Sequence, residues 1–276
     1  MALRDGPMRP EDLFLRVTEP ATLDQAWARV RANGGCAGGD GETLAAFSRA
    51  AARRILSLSK QLREGSYRPR ALRIVEIAKK RGGTRPLAIP SIVDRVAQTA
   101  CAQELTPLLD PMFEDDSFAY RPGRSVAMAV RRIGSLRRKG FVHVVEADIV
   151  RCFERIPQAP LLQRLEEALA GRSGAERVSD LVAHWLEHAG ASLSTPGTGL
   201  PQGSPLSPLL ANLYLDSVDE ELATGGARLI RFADDFVILC RRRGSARIGA
   251  RAGGARSPRP GNAWRRQPRR RFRSGL

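Results

Sequence analysis

The chain has 276 residues, 45 Lys and Arg against 29 Asp and Glu, a formal net charge of +16, and 42% hydrophobic residues. That is enough for one large or two small domains with a buried core, and no run of about eighteen apolar residues exists to span a membrane. Met1 to Arg16 mixes charged with apolar residues and lacks the apolar core of a signal peptide, so a cytoplasmic protein is expected.

Residues 19–66 read as helical. Ala21 to Ala32 and Leu44 to Leu62 carry apolar residues at helical spacing. Between them the run Gly34-Gly35-Cys36-Ala37-Gly38-Gly39-Asp40-Gly41 is a loop, because glycine loses too much backbone freedom in a helix. From Leu72 to Pro90 two short β-prone runs flank Gly82-Gly83 and predict a hairpin with a basic tip. Helices are expected over Ile92–Leu109, Ser125–Lys139 and most of Leu161–Leu186, and a strand over Val142–Asp148. Over Ser204–Leu222 the residues Leu206, Leu209, Leu210, Leu213, Ser217 and Val218 fall on one helical stripe. Leu229–Leu239 is apolar on both sides of Ala233-Asp234-Asp235 and reads as a hairpin with acids at its turn. The fold class is α+β, with helices backing an antiparallel sheet.

Beyond Cys240 the composition changes. Residues 241–276 hold thirteen arginines and no acid, so the other 240 residues carry only 16 minus 13, or +3. With almost no apolar periodicity, residues 247–276 are expected to be disordered. The four cysteines, Cys36, Cys101, Cys152 and Cys240, show neither CxxC pairing nor histidines at ligand spacing, and read as free thiols.

Three acids sit where solvation alone would not put them. Asp148 ends a valine-rich strand, and Asp234 and Asp235 interrupt an apolar hairpin, although aspartate is a poor strand residue. Carboxylates gathered at a sheet end repel one another unless a cation is present. Hard divalent ions such as Mg²⁺ supply that charge and leave positions for water and phosphate. Two such ions together suit displacement at a phosphoryl centre. An isolated Asp-Asp pair is more often an ordinary turn, so the argument rests on its surroundings.

Those surroundings resemble the reverse transcriptases encoded by bacterial group II introns and their relatives. Phe232-Ala233-Asp234-Asp235 resembles the family's Tyr-Ala-Asp-Asp hairpin, and Glu146 to Phe153 its first palm motif. Gly199-Leu200-Pro201-Gln202-Gly203-Ser204 and the residues to Asn212 resemble its long Pro-Gln-Gly motif. Lys79–Pro90 and Phe118–Ser125 resemble its two fingers motifs. The motifs run in the family's order over roughly residues 20–246.

The resemblance implies a fingers-and-palm fold with an antiparallel palm sheet backed by helices. It also implies an RNA-directed DNA polymerase copying RNA into DNA. The domains would be an N-terminal helical extension over 1–70, fingers over 71–135, palm over 136–246 and the arginine-rich tail over 247–276. Asp148, Asp234 and Asp235, with the Ile149 carbonyl, would hold two Mg²⁺ ions, for which Mn²⁺ can substitute. Lys79 and Arg85 would clamp the triphosphate, Gln202 and Gly203 would line the nucleotide, and Phe153 would exclude a 2′-hydroxyl. Arg121 and Arg124 would meet template phosphates. The implied partners are an RNA template with a DNA or RNA primer, deoxynucleoside triphosphates, and intron RNA or CRISPR adaptation proteins; no membrane partner is expected.

Some features depart from the family. Phe232 replaces a tyrosine, Glu154 an aspartate, and Gly203-Ser204-Pro205-Leu206 is similar to variants in reverse transcriptases associated with CRISPR adaptation genes. No thumb is recognisable after Cys240, so weak primer–template binding is expected. The tail reads either as an arm gripping RNA phosphates or as the product of a frameshift in a GC-rich gene. The rival reading is a non-catalytic, maturase-like RNA-binding protein, against which the intact acid triad argues.

Overall fold

Proline, glycine and capping side chains divide the chain into its elements. In a computed structural model the described residues are 11–78, 83–190, 196–222, 226–242 and 264–266. In chain order they form α1 (Leu13–Thr18), α2 (Pro20–Asn33), α3 (Leu44–Ser48), α4 (Ala51–Arg63), β1 (Arg73–Ala78), β2 (Thr84–Ile89), α5 (Ile92–Leu109) and α6 (Val126–Arg138). These are followed by β3 (His143–Ile149), α7 (Cys152–Arg155), α8 (Gln158–Leu169), α9 (Ala175–Gly190), α10 (Ser207–Leu222), β4 (Arg228–Phe232), β5 (Asp235–Cys240) and β6 (Trp264–Arg266). They fall into two units, Met1–Leu109 with Gln158–Ser207, and Asp110–Pro157 with Pro208–Leu276.

The first unit is helical around α5, with the β1–β2 hairpin as its own two-stranded sheet. Asp12 caps α1 by accepting from the Leu15 N–H at 2.9 Å, Pro20 starts α2, and Thr43 caps α3. The expected helix over Leu44–Leu62 breaks at Arg49–Ala50, and α1 lies ahead of the 19–66 span whose spacing reads as helical. The span Leu161–Leu186 likewise divides between α8 and α9, parted by the left-handed Gly171 and Gly174.

α5 is buried on most sides, so its polar residues need partners. Asp94 accepts from the Tyr67 hydroxyl at 2.5 Å, the Ser91 hydroxyl at 2.8 Å and the Arg70 N–H at 3.0 Å. The Trp185 indole N–H donates to the same Tyr67 oxygen at 2.9 Å, which ties α9 to the start of α5. Glu104 is paired with Arg16 of α1.

The second unit is an antiparallel sheet of order β4-β5-β3-β6. Alternation along the strands directs Val144, Ile230 and Leu239 into a core with Phe118, Phe141 and, from α6, Ala129 and Leu136. Helix α10 begins at Ser207, later than the expected Ser204, because a residue before proline is pushed out of the helical region and Pro205 follows Ser204. It is also buried beyond the expected stripe: Ala211, Asn212, Tyr214, Leu215 and Asp216 are all below a tenth exposed.

Most of the tail lies outside the described residues. Trp264–Arg266, expected to be disordered, instead forms β6 along the open edge of β3, with Asp148 opposite Arg265. An unpaired strand edge offers N–H and C=O groups to any extended segment, whatever its composition. Among the described residues no helix is long and apolar enough to cross a membrane.

Candidate active site

Strand pairing in the second unit gathers the three aspartates. Asp148 on β3 is the register partner of Asp235 on β5, and the Ile149 N–H donates to the Asp234 carbonyl at 3.3 Å. Phe232 and Asp235 pair across β4 and β5, which leaves Ala233 and Asp234 as a two-residue hairpin turn. Ala233 takes φ +60°, a left-handed conformation that a glycine would adopt without strain. Strain of this kind persists where surrounding structure fixes it, and it clusters at functional turns. Asp148 and Asp234 are half-buried and Asp235 is exposed.

The surrounding protein withdraws water from the Asp235 carboxylate, and Asp234 beside it adds like-charge repulsion; both raise the Asp235 pKa above the usual aspartate value. The donor set of hard carboxylate oxygens fits a divalent cation, which would relieve that repulsion. Among the described residues no three acidic, histidine or cysteine side chains are drawn into a closed ligand cluster. The fit therefore rests on the strand register and on charge.

Phe153, on the single turn α7, is half-buried. Its ring meets Tyr120 edge-on, with centroids 6.4 Å apart and planes at 88°. Tyr120 itself is 54% exposed and has φ +60°. An exposed aromatic in a left-handed loop is a functional candidate that sequence reasoning did not select; its position between Phe118 and Arg121 in a fingers motif was the available signal.

Both loop arginines are engaged within their own loop. Arg121 is 7% exposed and donates to Asp110 Oδ1 at 2.7 Å, to the Asp110 carbonyl at 2.8 Å, and to the Glu114 and Ser117 carbonyls at 2.6 and 3.0 Å. It organises the loop, and most of its N–H groups are engaged there rather than offered to a template phosphate. Arg124 bonds to Asp115 and lies over the Phe118 ring at 5.7 Å.

The first unit holds the remaining candidates. The Gln202 carbonyl accepts from the Ala88 N–H at 2.7 Å, so the Pro201–Ser204 turn lies against β2. Gly203 has φ +129°, and a Cβ there would stand 2.8 Å from the Ala88 carbonyl oxygen. Only glycine permits that approach. Arg85 is on the same strand, opposite Ile77 of β1. Lys79 lies outside the described residues.

Beneath the acidic turn is a group that the sequence reading passed over. Arg231 is 0% exposed; its guanidinium donates to both Asp219 carboxylate oxygens at 2.7–2.8 Å, to Asn212 Oδ1 at 2.7 Å and to the Ala233 carbonyl at 3.4 Å. Burial raises the Asp219 pKa, and the hydrogen bonds and charge of Arg231 oppose that rise. An arginine inside the apolar run Leu229–Leu239 was the signal for it.

Residues 77–251 match the family described as reverse transcriptase (RNA-dependent DNA polymerase). The group II intron-encoded protein LtrA of Lactococcus lactis subsp. cremoris is 34% identical over 171 residues, covering 60% of this chain and 28% of that protein. Protein YkfC of Escherichia coli (strain K12) is 30% identical over 234 residues, covering 80% of this chain and 59% of that protein. The chain thus spans less than two thirds of these relatives.

Among solved structures, a chain of a partial Cas6-RT-Cas1--Cas2 complex has a TM-score of 0.50 at 31% identity, covering 82% of this chain and 38% of that one. An apo telomerase from Candida tropicalis, truncated from its C-terminal domain, shares the fold with a TM-score of 0.52 at 14% identity, covering 74% of this chain and 52% of that one. The ordered motifs, the acid-bearing hairpin against β3 and the family match agree: the chain belongs to the reverse transcriptase family.

Proposed function

We propose that the chain carries the polymerase centre of an RNA-directed DNA polymerase of the group II intron type. The observation that carries this reading is the register of Asp148 against Asp235 with Asp234 in the adjoining turn, within the matched family segment. Bound there by the three aspartates and the Ile149 carbonyl, two Mg²⁺ ions would neutralise charge developing on the reacting phosphate.

The chain's own residues then have separate tasks. The half-buried Phe153 ring, held edge-on by Tyr120, excludes a ribose 2′-hydroxyl by contact. The Gln202–Gly203 turn, pressed on β2, lines the nucleotide, and Lys79 and Arg85 from the basic hairpin hold its triphosphate. Residues 71–135 serve as fingers and 136–246 as palm. The reaction is attack of a primer 3′-hydroxyl on the α-phosphate of a deoxynucleotide, with pyrophosphate leaving. Positioning and charge complementarity supply most of the rate.

Two settings fit the comparisons. LtrA and the other intron-encoded relatives favour intron RNA as template. The 31% identity to the Cas6-RT-Cas1--Cas2 chain favours a CRISPR adaptation partner as the second reading. Replacing both Asp234 and Asp235 by alanine tests the polymerase assignment against RNA binding alone. Nucleotide incorporation is expected to vanish while RNA affinity is retained. Incorporation that survives the replacement would refute the assignment.

A further inference from the structure

Arg231 has no task in the polymerisation just described, yet it is fully buried. Burying a guanidinium is costly unless its donors are all directed at acceptors. Asp219 alone would balance the charge. The remaining bonds point elsewhere, and both lead toward the site.

Nη1 reaches the Ala233 carbonyl at 3.4 Å, the peptide group that precedes Asp234 in the left-handed turn. It also holds Asn212 Oδ1 at 2.7 Å, and the Asn212 amide in turn donates to the Ala119 carbonyl at 2.9 Å. Ala119 immediately precedes Tyr120, the partner of Phe153. The backbone of Arg231 is pinned too: its N–H donates to the Asp116 carbonyl at 2.9 Å, and its carbonyl accepts from the Phe118 N–H at 3.0 Å. One side chain therefore braces both the acid-bearing turn and the loop that carries the aromatic pair.

We propose that Arg231, locked by Asp219 and Asn212, is a positioning residue that fixes the Ala233–Asp234 turn and so the placement of the carboxylates that take the metal. The inference rests on the metal-binding reading of Asp234 and Asp235. Groups that orient metal ligands from behind are worth about 10- to 100-fold in metal affinity when removed. The guanidinium reaches Asp219 through Nε and Nη2 and Asn212 and Ala233 through Nη1, a spread that the single nitrogen of an ammonium does not span.

The test uses the full 276-residue chain, with Mn²⁺ titrations followed by electron paramagnetic resonance and thermal melts on the same samples. The binding scored is the part lost in Asp234→Asn/Asp235→Asn. Removing one partner of a buried pair can unfold a protein, so the main variant is Arg231→Met/Asp219→Leu, which replaces both charges with apolar groups. Arg231→Lys is the second variant, and Arg54→Met, which breaks the ion pair with Glu42 and touches none of these residues, is the control.

The expected result is a cooperative melt for the double variant with Mn²⁺ bound about tenfold or more weakly. Arg231→Lys shows the same loss and the control none. Wild-type Mn²⁺ affinity in a cooperatively folded double variant overturns the inference. If that variant does not melt cooperatively, Arg231→Lys decides by the same criterion. Should wild-type binding prove insensitive to Asp234→Asn/Asp235→Asn, the metal-binding reading itself fails, and this inference with it.

Discussion

Asp148 and Asp235 stand directly opposite each other across β3 and β5, two acids paired where a sheet favours opposite charges or apolar contact. Like charges in this position destabilise an antiparallel pair. Asp234, in the turn that adjoins Asp235, adds a third carboxylate beside that pair.

The pairing yields a trade-off that can be measured. In EDTA, Asp235→Asn is expected to stabilise the chain by about 0.2–1 kcal/mol, since it removes the like-charge repulsion with Asp234 without removing volume. Added Mg²⁺ should then raise the melting temperature of the wild type and leave the variant nearly unmoved. Calorimetry in the two buffers checks both signs.

Gly203→Ala tests the contact between the Pro-Gln-Gly turn and β2. The new methyl meets the Ala88 carbonyl at 2.8 Å, and φ +129° is unfavourable for any residue with a side chain. A loss of about 1–3 kcal/mol in urea unfolding is expected from the backbone conformation alone. Glycines 65 and 140, which also have positive φ but open space around them, should cost less as alanine, because only the backbone term remains.

Sugar discrimination should depend on the aromatic pair. Phe153→Val is expected to lower the preference for deoxynucleotides over ribonucleotides by about tenfold or more. Tyr120→Ala should act in the same direction, because the Phe153 ring loses its edge-on neighbour. Ratios of kcat/KM for the two sugars on one RNA template provide the check.

The thiols give a pH prediction. Burial pushes Cys101 and Cys152 up to about 12, with Glu104 adding to the first and Asp234 to the second. The folded state therefore keeps protons that the unfolded chain releases, so stability is full below the ordinary thiol range and falls as pH rises through it toward 12. Denaturant midpoints measured from pH 8 to 11 should fall, and fall less in Cys101→Ala. At pH 8, exposed Cys36 should react rapidly with a thiol reagent, and buried Cys101, Cys152 and Cys240 only on unfolding.

Much of the architecture could be read from local pattern. α5 spans Ile92–Leu109 as expected, since a segment with apolar residues at helical spacing lies between Pro90 and the Asp110-Pro111 turn, and the helix runs on through Pro107 near its end. The acid-bearing hairpin was legible because two strand-forming runs meet at Ala233-Asp234. The start of α10 was not, because Ser204 resembles a helix cap and only the proline after it argues otherwise. The tasks of Arg121 and Arg231 were hidden for a different reason. Burial of a charged side chain depends on acceptors distant in sequence, here Asp110 and Asp219, and periodicity carries no record of them. Strand β6 was equally hidden, since it is decided by the open edge of β3 and not by its own composition.

The central claim is a metal-dependent centre that copies RNA. Its most direct test is single-nucleotide extension of a DNA primer on an RNA template, with the 276-residue chain in excess and either Mg²⁺ or Mn²⁺ present. Template-directed addition of the complementary deoxynucleotide, abolished by Asp148→Asn and by EDTA, is the predicted result. Saturated binding of the primer–template with no addition under either metal, or addition that is indifferent to Asp148→Asn, would contradict it.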